Sequence, residues 1–311
     1  MKLIFPDVKT IGEDLNLSSF QNLGEVITYP FSTPEEALMR TSDADVIITN
    51  KVPINEETIG NARHLKLVCV TGTGTNHLDT DYLKKRGIAW RNVAGYSTDS
   101  VAQHTFAMLF YLLENLRFYD DYVKEEQYVE DREFTHFRQT YHEISGMTWG
   151  IIGLGNIGRK VAHIAEAFGA KVIYASPSGK PPQKGFTQVS LDTLLRDSDI
   201  ISVHAPLNVY TENLIDAAAL SKMKKSCILL NLGRGAIINE HDLCDALTRH
   251  TIAAAGLDVL CTEPMSQESP LREIKDSQRL FITPHIGWAS IEARTRLMEI
   301  IYTQIDDFFN I

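Results

Sequence analysis

Short apolar runs recur along the first hundred residues and are separated by polar or helical stretches. The runs Lys2–Phe5, Val46–Thr49 and Leu67–Val70 each predict a buried strand, because such strands are short and continuously apolar. The segment Thr33–Glu36 predicts a helix start, since Thr33 can cap it, Pro34 suits its first turn and the acids favour its positive end. Strands that alternate with helices predict a parallel α/β sheet. Two further elements are predicted here, a helix at Asp79–Arg86 and a strand at Ile88–Trp90.

The same alternation becomes more regular after Thr148. Apolar runs predict six strands, in the arrangement expected of a doubly wound sheet. The predicted strands are Trp149–Ile152, Lys171–Tyr174, Asp199–Val203, Cys227–Asn231, Thr251–Leu257 and Leu280–Thr283. Helices are predicted at Leu191–Arg196, which Ser190 can cap, at Asn239–Arg249, and at Ile291–Phe309, where the pattern is amphipathic.

Between these two regions, a broad apolar face predicts one long helix from about Asp99 to Glu126. Aromatic residues widen that face beyond one side of the helix. The helix is therefore predicted to be buried on more than one side, in a core or in a subunit interface. The polar segment 127–145 is predicted to be irregular.

The first predicted strand after Thr148 leads into a glycine-rich turn, Gly153-Leu154-Gly155-Asn156-Ile157-Gly158, which a helical pattern follows. Gly153 permits a tight turn, Gly155 lets a pyrophosphate approach the backbone, and Gly158 lets the helix pack closely on the strand. The helix N-terminus would present its amide groups to the phosphates. An ordinary glycine-rich turn is the alternative, but the strand before it and the helix after it favour a dinucleotide site.

Length and composition limit the class of protein. The 311 residues favour two domains, and the 44% hydrophobic and 23% charged residues are ordinary for a globular protein. A formal net charge of −10 argues against a nucleic-acid partner but permits an anionic small molecule in a locally cationic cleft. The four cysteines show neither metal nor disulfide spacing, which favours buried thiols and a reducing compartment. The apolar runs are too short for a signal peptide or a membrane span, so a soluble cytoplasmic protein is expected.

A second glycine-containing turn, Thr71–Thr75, follows the predicted strand Leu67–Val70. It is similar to a phosphate loop but lacks a third glycine and a lysine. The turn is either a plain tight turn or a loop whose backbone amides bind an anion, and the residues by themselves favour the plain turn.

Polar residues follow several predicted strands, at the edge where open α/β sheets bind ligands. His285 is suited to donate and accept a proton near neutral pH, and a carboxylate from Glu263 or Asp258 would orient its ring. Arg234 can bind a substrate carboxylate by a bidentate pair and polarise a carbonyl. Each residue alone could be structural, but their common location around a nucleotide site favours catalysis. The corner His204-Ala205-Pro206 belongs to the same set.

Five stretches of the chain together resemble the D-isomer-specific 2-hydroxyacid dehydrogenases. They are GIIGLGNIGRKVA, SDIISVHAPL, NLGRGAIIN, AAGLDVLCTEP and ITPHIGWAS, and they run in the family's order over nearly the whole chain. The resemblance implies that Arg234 binds the substrate carboxylate and carbonyl, and that His285 is the acid/base with Glu263 as its partner. It also implies that Asp258 accepts a hydrogen bond from the nicotinamide carboxamide.

The resemblance further implies an α/β fold of two Rossmann-like, open parallel-sheet domains. The NAD(P)-binding domain, residues 98–287, would be inserted into a flavodoxin-like substrate domain made of residues 1–97 and 288–311. The turn Thr73-Gly74-Thr75 then matches the family's substrate-carboxylate loop, which reverses the preference for a plain turn. The helix that carries Gln103 would lie in a homodimer interface, and the family often has an acid at this position.

Cofactor contacts are implied at several strand ends, and no metal is expected. The residues concerned are Gly153, Gly155, Asn156, Ile157, Gly158, Ser176, Ser178, Lys180, His204, Ala205, Pro206, Thr211, Leu232, Gly233, Asp258 and Gly287. NAD-specific members place an acid after the second strand to bind the ribose 2′-hydroxyl, whereas this chain has Ser176 there and no acid before Asp192. Ser176, Ser178 and Lys180 can form a cup for a 2′-phosphate. NADP is therefore predicted to be tolerated, and either NAD or NADP can be the preferred cofactor.

The predicted function is hydride transfer between NAD(P)H and C2 of a short 2-oxo acid or D-2-hydroxy acid, the small anionic substrate. The stretches GYSTDSVAQHTFAMLF and PHIGWAS are most similar to the glycerate dehydrogenase/hydroxypyruvate reductase branch, so reduction of hydroxypyruvate or glyoxylate is expected. Trp288 either caps the substrate pocket or packs as an ordinary aromatic residue. The alternatives are an NAD(H)-sensing regulator on the same fold, or another branch such as phosphoglycerate dehydrogenase. The joint presence of Arg234, Glu263 and His285 favours an enzyme.

Overall fold

The computed structural model of the protein describes residues 1–310. The chain forms two compact units: the first contains Met1–Ser97 and the chain from Trp288 onward, and the second contains Thr98–Gly287. Each unit is organised around a parallel sheet, so the predicted class of two open parallel-sheet α/β domains is confirmed. Within residues 1–310, every helix is too short or too polar to cross a membrane.

The first unit contains a five-stranded parallel sheet. Its strands are β1 (Lys2–Phe5), β2 (Glu25–Thr28), β3 (Val46–Thr49), β4 (Leu67–Val70) and β5 (Ala89–Arg91), in the order β2-β1-β3-β4-β5. Its helices are α1 (Pro34–Arg40), α2 (Glu56–Ile59), α3 (Thr80–Arg86) and a terminal helix, Ile291–Phe309, with short 3₁₀ turns at Val8–Ile11 and Ser18–Asn22. This strand order is the flavodoxin-like one, and its switch point lies between β1 and β3.

Local sequence explains most elements of the first unit. Thr33 caps α1 as predicted, because its side chain accepts from the Glu36 amide while the Glu36 carboxylate accepts from the Thr33 amide. The terminal helix buries Leu297 and Ile301 in the core that also contains the β1 side chains. Strand β2 was not among the predicted elements, since its four residues are partly or fully exposed at the sheet edge.

The second unit contains a seven-stranded parallel sheet in the order β12-β11-β10-β9-β6-β7-β8. Its strands are β6 (Thr148–Ile152), β7 (Lys171–Ala175), β8 (Thr187–Gln188), β9 (Ile200–Val203), β10 (Ile228–Asn231), β11 (Ala254–Leu257) and β12 (Leu280–Ile282). Its helices are α4 (Thr98–Leu113), α5 (Leu116–Lys124), α6 (Gln127–Glu130), α7 (Asn156–Ala167), α8 (Leu191–Asp197), α9 (Ala217–Lys222) and α10 (Glu240–Thr248), with 3₁₀ turns at Gly235–Ile237 and Pro270–Glu273. The strand order reverses between β6 and β9, which places a ligand-binding crevice at their carboxyl ends.

Three predictions for the second unit are wrong. The prediction of six strands misses β8, because two residues at a sheet edge leave no apolar run, and α9 was also not predicted. The single helix predicted from Asp99 to Glu126 is broken: α4 ends at Leu113 and α5 begins at Leu116. Asn115, between them, has a left-handed backbone with φ of 53°. Helix α6 lies inside the segment predicted to be irregular.

Candidate active site

The glycine-rich turn after β6 is packed tightly on one side and open on the other. Gly153 has φ of 94°, and a Cβ there would lie 2.7 Å from the backbone of Ala205, so a side chain is excluded. A Cβ at Gly158 would lie 2.3 Å from the Gly153 carbonyl oxygen, so this glycine allows α7 to approach β6. At Gly155, a Cβ would meet none of the described atoms within 4 Å. The fold itself does not need glycine at position 155, and the open space leaves room for a ligand.

Helix α7 begins directly after this open position. Its N-cap is Gly155, which has no side chain to accept from the first amide groups of the helix. Asn156 and Ile157 form the first turn, and Arg159 donates to Asn156 Oδ1 at 2.5 Å and to Gln183 Oε1 at 3.1 Å. The amide groups of this turn are therefore available to an anionic ligand, as they are at other helix N-termini.

The residues after β7 form a compact polar turn. The Lys180 amide donates to Ser176 Oγ at 3.1 Å, and the Gly179 amide donates to the Ser176 carbonyl oxygen at 2.9 Å. Ser178 and Lys180 are exposed, whereas Ser176 is half-buried. The three side chains predicted to form the cup thus belong to one closed turn directly after β7.

Ala205 is the point where three strand ends meet. Ala205 lies after β9 and contacts Gly153, which follows β6. It also lies against Gly233, which follows β10, since a Cβ at Gly233 would be 2.9 Å from the Ala205 carbonyl oxygen. The neighbouring Leu232 is buried, and its amide donates to the Val203 carbonyl oxygen at 3.3 Å. Thr211 is fully buried and donates to the Pro206 carbonyl oxygen at 2.7 Å, so its hydroxyl braces the loop after β9.

His204 is an unusual histidine at the end of β9. Both of its ring nitrogens are shielded from solvent, and neither has a hydrogen-bond partner among residues 1–310. Burial lowers the pKa of its side chain to about 3, so the ring is neutral at physiological pH. A buried polar group without a partner is rare, and a bound ligand is one common explanation.

Glu263 and His285 form a direct pair. Glu263 lies in the loop after β11 and His285 in the turn after β12, and the Oε2 to Nδ1 distance is 2.7 Å. The other carboxylate oxygen accepts from the Leu260 amide at 3.1 Å, which fixes the Glu263 side chain. Because Nδ1 donates to the carboxylate, Nε2 is the ring nitrogen that remains for proton transfer.

Asp258 holds the turn that carries His285. Its Oδ1 accepts from the Thr283 hydroxyl at 2.6 Å and the Ile286 amide at 2.9 Å, and its Oδ2 accepts from the Gly287 amide at 2.8 Å. Burial by itself would raise the pKa of Asp258, but hydrogen bonds from His104, Thr283 and these two amides outweigh it and hold the pKa below its ordinary value. The carboxylate therefore stabilises a turn in which His285 has the left-handed φ of 55°.

Two residues in this network were missed from the sequence. His104 on α4 contacts the Thr283 hydroxyl at 2.9 Å, and Thr283 links it to Asp258. Thr283 directly precedes Pro284-His285, so its place at a strand end was a usable indication. His104 is 179 positions away along the chain, and no local pattern could have revealed that contact.

Arg234 directly precedes the 3₁₀ turn Gly235–Ile237 that follows β10. The Asn231 side chain donates to the Arg234 carbonyl oxygen at 3.0 Å, and Arg234 Nη1 donates to the Gly233 carbonyl oxygen at 2.8 Å. The side chain is partly exposed. The first bond holds the Arg234 backbone, and the second holds the guanidinium group by one of its five N–H donors.

The first unit contains the predicted substrate residues Thr73, Gly74, Thr75 and Trp288. The second unit contains Arg234, Glu263 and His285. Thr73 Oγ1 donates to the Val93 carbonyl oxygen at 2.8 Å, which fixes the turn. In residues 1–310, the amides of Thr73, Gly74 and Thr75 donate to no protein acceptor. Trp288 packs edge-on against Tyr96, with 6.4 Å between ring centroids, so it has at least a packing role.

Among residues 1–310, no cluster of three or more His, Cys, Asp or Glu side chains is arranged to hold a metal ion. The four cysteines are free thiols, and burial raises the pKa of Cys69 and of Cys227 to about 12.

Comparisons with known proteins identify the family of the chain. Residues 106–287 match the family described as D-isomer specific 2-hydroxyacid dehydrogenase, NAD binding domain. The chain is 36% identical to a hydroxypyruvate reductase of Blautia hydrogenotrophica over 95% of this chain and 92% of the relative. It is 35% identical to a glycerate dehydrogenase of Methylorubrum extorquens, with 99% and 96% covered. The structure of an acyclic imino acid reductase in complex with NADPH and D-Arg superposes with a TM-score of 0.87 at 30% identity, covering 100% of this chain and 97% of the other. The chain belongs to the D-isomer specific 2-hydroxyacid dehydrogenase family.

Proposed function

We propose that the protein reduces short 2-oxo acids to D-2-hydroxy acids with NAD(P)H, and catalyses the reverse reaction. The pairing of Glu263 Oε2 with His285 Nδ1 at 2.7 Å carries this proposal. A protein that only senses NAD(H) needs a nucleotide site but has no use for a histidine oriented by a carboxylate. The observation therefore favours the enzyme over the NAD(H)-sensing regulator.

The second unit has features that fit a bound dinucleotide. The space at Gly155 and the available amides of α7 suit a pyrophosphate, and His204 has two buried ring nitrogens without a protein partner. Gly153 and Gly233 both lie close to Ala205, so the backbone segments after β6, β9 and β10 meet at the strand ends. We therefore assign cofactor binding to residues 98–287; in the first unit, Thr73–Thr75 and Trp288 are the proposed substrate contacts. When bound, NAD(P)H supplies the hydride that C2 of the oxo acid accepts.

The protein's own residues would provide proton transfer and charge stabilisation. His285 would donate the proton on Nε2 to the alkoxide oxygen that forms at C2, and would take it back in the oxidative direction. Glu263 would keep the ring oriented and stabilise its protonated form. Arg234 would bind the substrate carboxylate and polarise the carbonyl, and the available amides of Thr73–Thr75 are suited to bind an anionic group.

Among oxo acids, hydroxypyruvate and glyoxylate are the proposed substrates. The relatives named hydroxypyruvate reductase and glycerate dehydrogenase support this choice, and each is covered over more than nine-tenths of its length. A panel of glyoxylate, hydroxypyruvate, pyruvate and phenylpyruvate, each with NADH and NADPH, tests it in one experiment. Phosphohydroxypyruvate added to the panel tests the phosphoglycerate dehydrogenase alternative.

The control for this panel is His285→Ala, which removes the proposed acid/base. Its kcat should fall by about 10²–10⁴ with little change in cofactor affinity, because general acid/base catalysis contributes that much. A variant that keeps more than about a tenth of the wild-type kcat would contradict the role of His285. If the wild type reduced none of the oxo acids, the proposed function itself would be wrong.

We further propose that NADP is accepted, and that Ser176, Ser178 and Lys180 bind its 2′-phosphate. The closed turn after β7 presents two hydroxyls and one amine, and no acid follows in the sequence before Asp192 to repel a phosphate. Lys180→Ala should raise the KM for NADPH and leave the KM for NADH unchanged. A wild-type preference for NADH above about a hundredfold in kcat/KM, about 2.7 kcal/mol, would refute this proposal.

A homodimer through the second unit is proposed from the surface of α5, α6 and the segment that follows. This region exposes several large apolar side chains, which monomeric proteins rarely group together. They are Leu116, Val123, Val129, Phe134 and Phe137. Light scattering should give twice the chain mass, and replacing Phe134 and Phe137 by Ser should shift the protein to monomer. A wild type that is monomeric at micromolar concentration would overturn the proposal.

A further inference from the structure

The loop that carries Glu263 has little packing of its own. It runs from Cys261 to Ser269, and its residues from Cys261 to Pro264 are exposed. The loop borders a cavity of about 300 Å³ instead of resting on the hydrophobic core. The position of Glu263 against His285 therefore depends on polar contacts that hold the loop in place.

Glu240, the first residue of α10, contacts both ends of this loop. Its Oε1 accepts from the Cys261 amide at 2.7 Å, and its Oε2 accepts from the Ser269 hydroxyl at 3.2 Å. Both bonds are made to a carboxylate, and the Cys261 bond is the shorter and stronger of the two. Helix α10 is a firm anchor, because Asn239 caps it and its residues Leu243 and Leu247 are buried in the core.

The backbone of Leu260 and Cys261 links three parts of the site. The Leu260 amide donates to Glu263 Oε1, and the Cys261 amide donates to Glu240 Oε1. On its other side it contacts the residue after Arg234: a Cβ at Gly235 would lie 1.9 Å from the Leu260 carbonyl carbon. The position of these two residues thus sets the position of Glu263 relative to the turn that follows Arg234.

We propose that Glu240 is a positioning residue that clamps the Cys261–Ser269 loop at both ends and so holds Glu263 on His285. This inference rests on the proposed acid/base role of His285. Glu240 does not contact His285 in the structure, and its effect on catalysis passes through the loop and Glu263. An acid in the first turn of a helix also stabilises that helix, so the test must separate the two effects.

Helix α10 offers a matched control in Asp242. Asp242 also lies in the first turn, and its carboxylate accepts from the Ala217 amide at 2.9 Å, away from the loop. Replacing Asp242 by Ala removes a first-turn acid and one hydrogen bond but leaves the Glu240 contacts in place. Glu240→Gln is the conservative variant, because its amide oxygen can accept from the Cys261 amide and its NH₂ group can donate to the Ser269 hydroxyl.

The first measurement is a double-mutant cycle on kcat with the best oxo acid from the panel. Glu240→Ala should lower kcat by about tenfold to a hundredfold, part of what acid/base catalysis contributes, and change the KM for NAD(P)H by less than about twofold. In a Glu263→Gln background the same change should cost less than about twofold, because Glu240 acts only through Glu263. Glu240→Gln should recover most of the loss, and Asp242→Ala should keep the wild-type kcat.

The second measurement does not depend on activity. Amide hydrogen exchange of the peptide covering residues 259–270 should accelerate by about tenfold or more in Glu240→Ala, and should remain unchanged in Asp242→Ala. If Glu240→Ala does not fold, Ser269→Ala releases one end of the loop and should give a smaller loss of kcat that also disappears in the Glu263→Gln background.

Equal losses of kcat in the wild-type and Glu263→Gln backgrounds would overturn the proposal, and so would unchanged exchange together with unchanged kcat in Glu240→Ala. A wild type without oxo-acid reductase activity would refute the proposed function instead. In that case the exchange measurement would still decide whether Glu240 clamps the loop.

Discussion

The buried, neutral ring of His204 should make the stability of the second unit depend on pH. Burial lowers the pKa of this side chain from 6.5 to about 3. Between these two pH values, the unfolded chain therefore binds a proton at His204 that the folded chain does not bind. The stabilising contribution is complete above pH 6.5 and is lost as the pH falls toward the folded value. Lowering the pH through 6.5 should therefore destabilise the protein through this residue.

The size of the effect follows from the two pKa values. Between them, one extra proton on the unfolded chain changes the free energy of unfolding by about 1.4 kcal/mol per pH unit. From pH 7.5 to pH 5.5 the unfolded group passes from mostly neutral to mostly charged, so His204 should account for a loss of about 1.4 kcal/mol. The contributions of all other groups cancel when the wild type is compared with His204→Gln.

The assay is equilibrium unfolding by urea of the cofactor-free protein at pH 7.5, 6.5 and 5.5. Trp149 on β6 is fully buried and donates to the Ser202 hydroxyl at 2.9 Å, so its fluorescence should report on the second unit. Replacing Trp90 and Trp288 by Phe removes the tryptophans of the first unit from the signal. Using one reporter avoids treating two domains as a single two-state transition.

The wild type should lose about 1.4 kcal/mol more than His204→Gln between pH 7.5 and pH 5.5. The comparison does not require the two proteins to be equally stable, because only the change with pH is compared. A pH dependence that is the same in both proteins to within about 0.5 kcal/mol, the usual scatter of such differences, would refute the reasoning. It would mean that the ring of His204 takes up its proton in the folded protein as readily as in the unfolded chain.

Three further predictions concern other positions. Gly153→Ala should destabilise the second unit by about 1–3 kcal/mol in urea unfolding and abolish cofactor binding in a fluorescence titration, because φ there is 94° and the Cβ would meet Ala205. Thr33→Ala should cost about 1 kcal/mol of unfolding free energy, since it removes a helix cap; a neutral result would contradict the cap. The Arg294 guanidinium lowers the pKa of Asp14 to about 2, so the stability difference between wild type and Asp14→Asn should be constant above pH 5. That difference should shrink as the pH falls through 3.8 toward 2, and thermal unfolding at pH 7 and pH 3 that showed no change would argue against the ion pair.

Buried parallel strands were predictable because burial on both faces produces a continuous apolar run. The predicted bounds of β1, β3 and β4 coincide with the observed ones, and those of β6 and β7 differ by one residue at one end. Strands β2 and β8 lie at sheet edges, where one side is exposed and the run is short or mixed. What the sequence pattern reports is burial, so an edge strand with exposed residues gives too little contrast to be recognised.

The broken helix after Thr98 shows a different limit. The apolar pattern continues past Leu113, which led to the prediction of one helix, but Asn115 adopts a left-handed conformation and redirects the chain. Leu116 and Val123, two apolar residues beyond the break, are exposed instead of buried. Hydrophobic periodicity cannot distinguish a residue buried in its own core from one at a surface that another molecule can cover.

The site residues illustrate how far strand-end reasoning reaches. The rule that ligands bind at the carboxyl ends of strands selected both Asp258 and Glu263, but left open which of them contacts His285. In the structure, the Asp258 carboxylate is occupied by the Thr283 hydroxyl and the two backbone amides that follow His285, and Glu263 contacts the ring. Sequence distance could not separate the two acids, since both lie within one loop connection after β11.

Both acids are needed for a reason that lies in the backbone of His285. His285 has a φ of 55°, a conformation that is unfavourable for a residue with a β-carbon. The turn is stable only because contacts with the surrounding residues hold it. Asp258 constrains the two amides after His285, and Glu263 constrains its ring, so backbone and side chain are fixed by separate carboxylates. The orientation of the proposed acid/base therefore depends on two other side chains, Asp258 and Glu263. For the same reason, the helix residue Glu240, which holds the Glu263 loop, should affect the reaction although it lies outside the reacting groups.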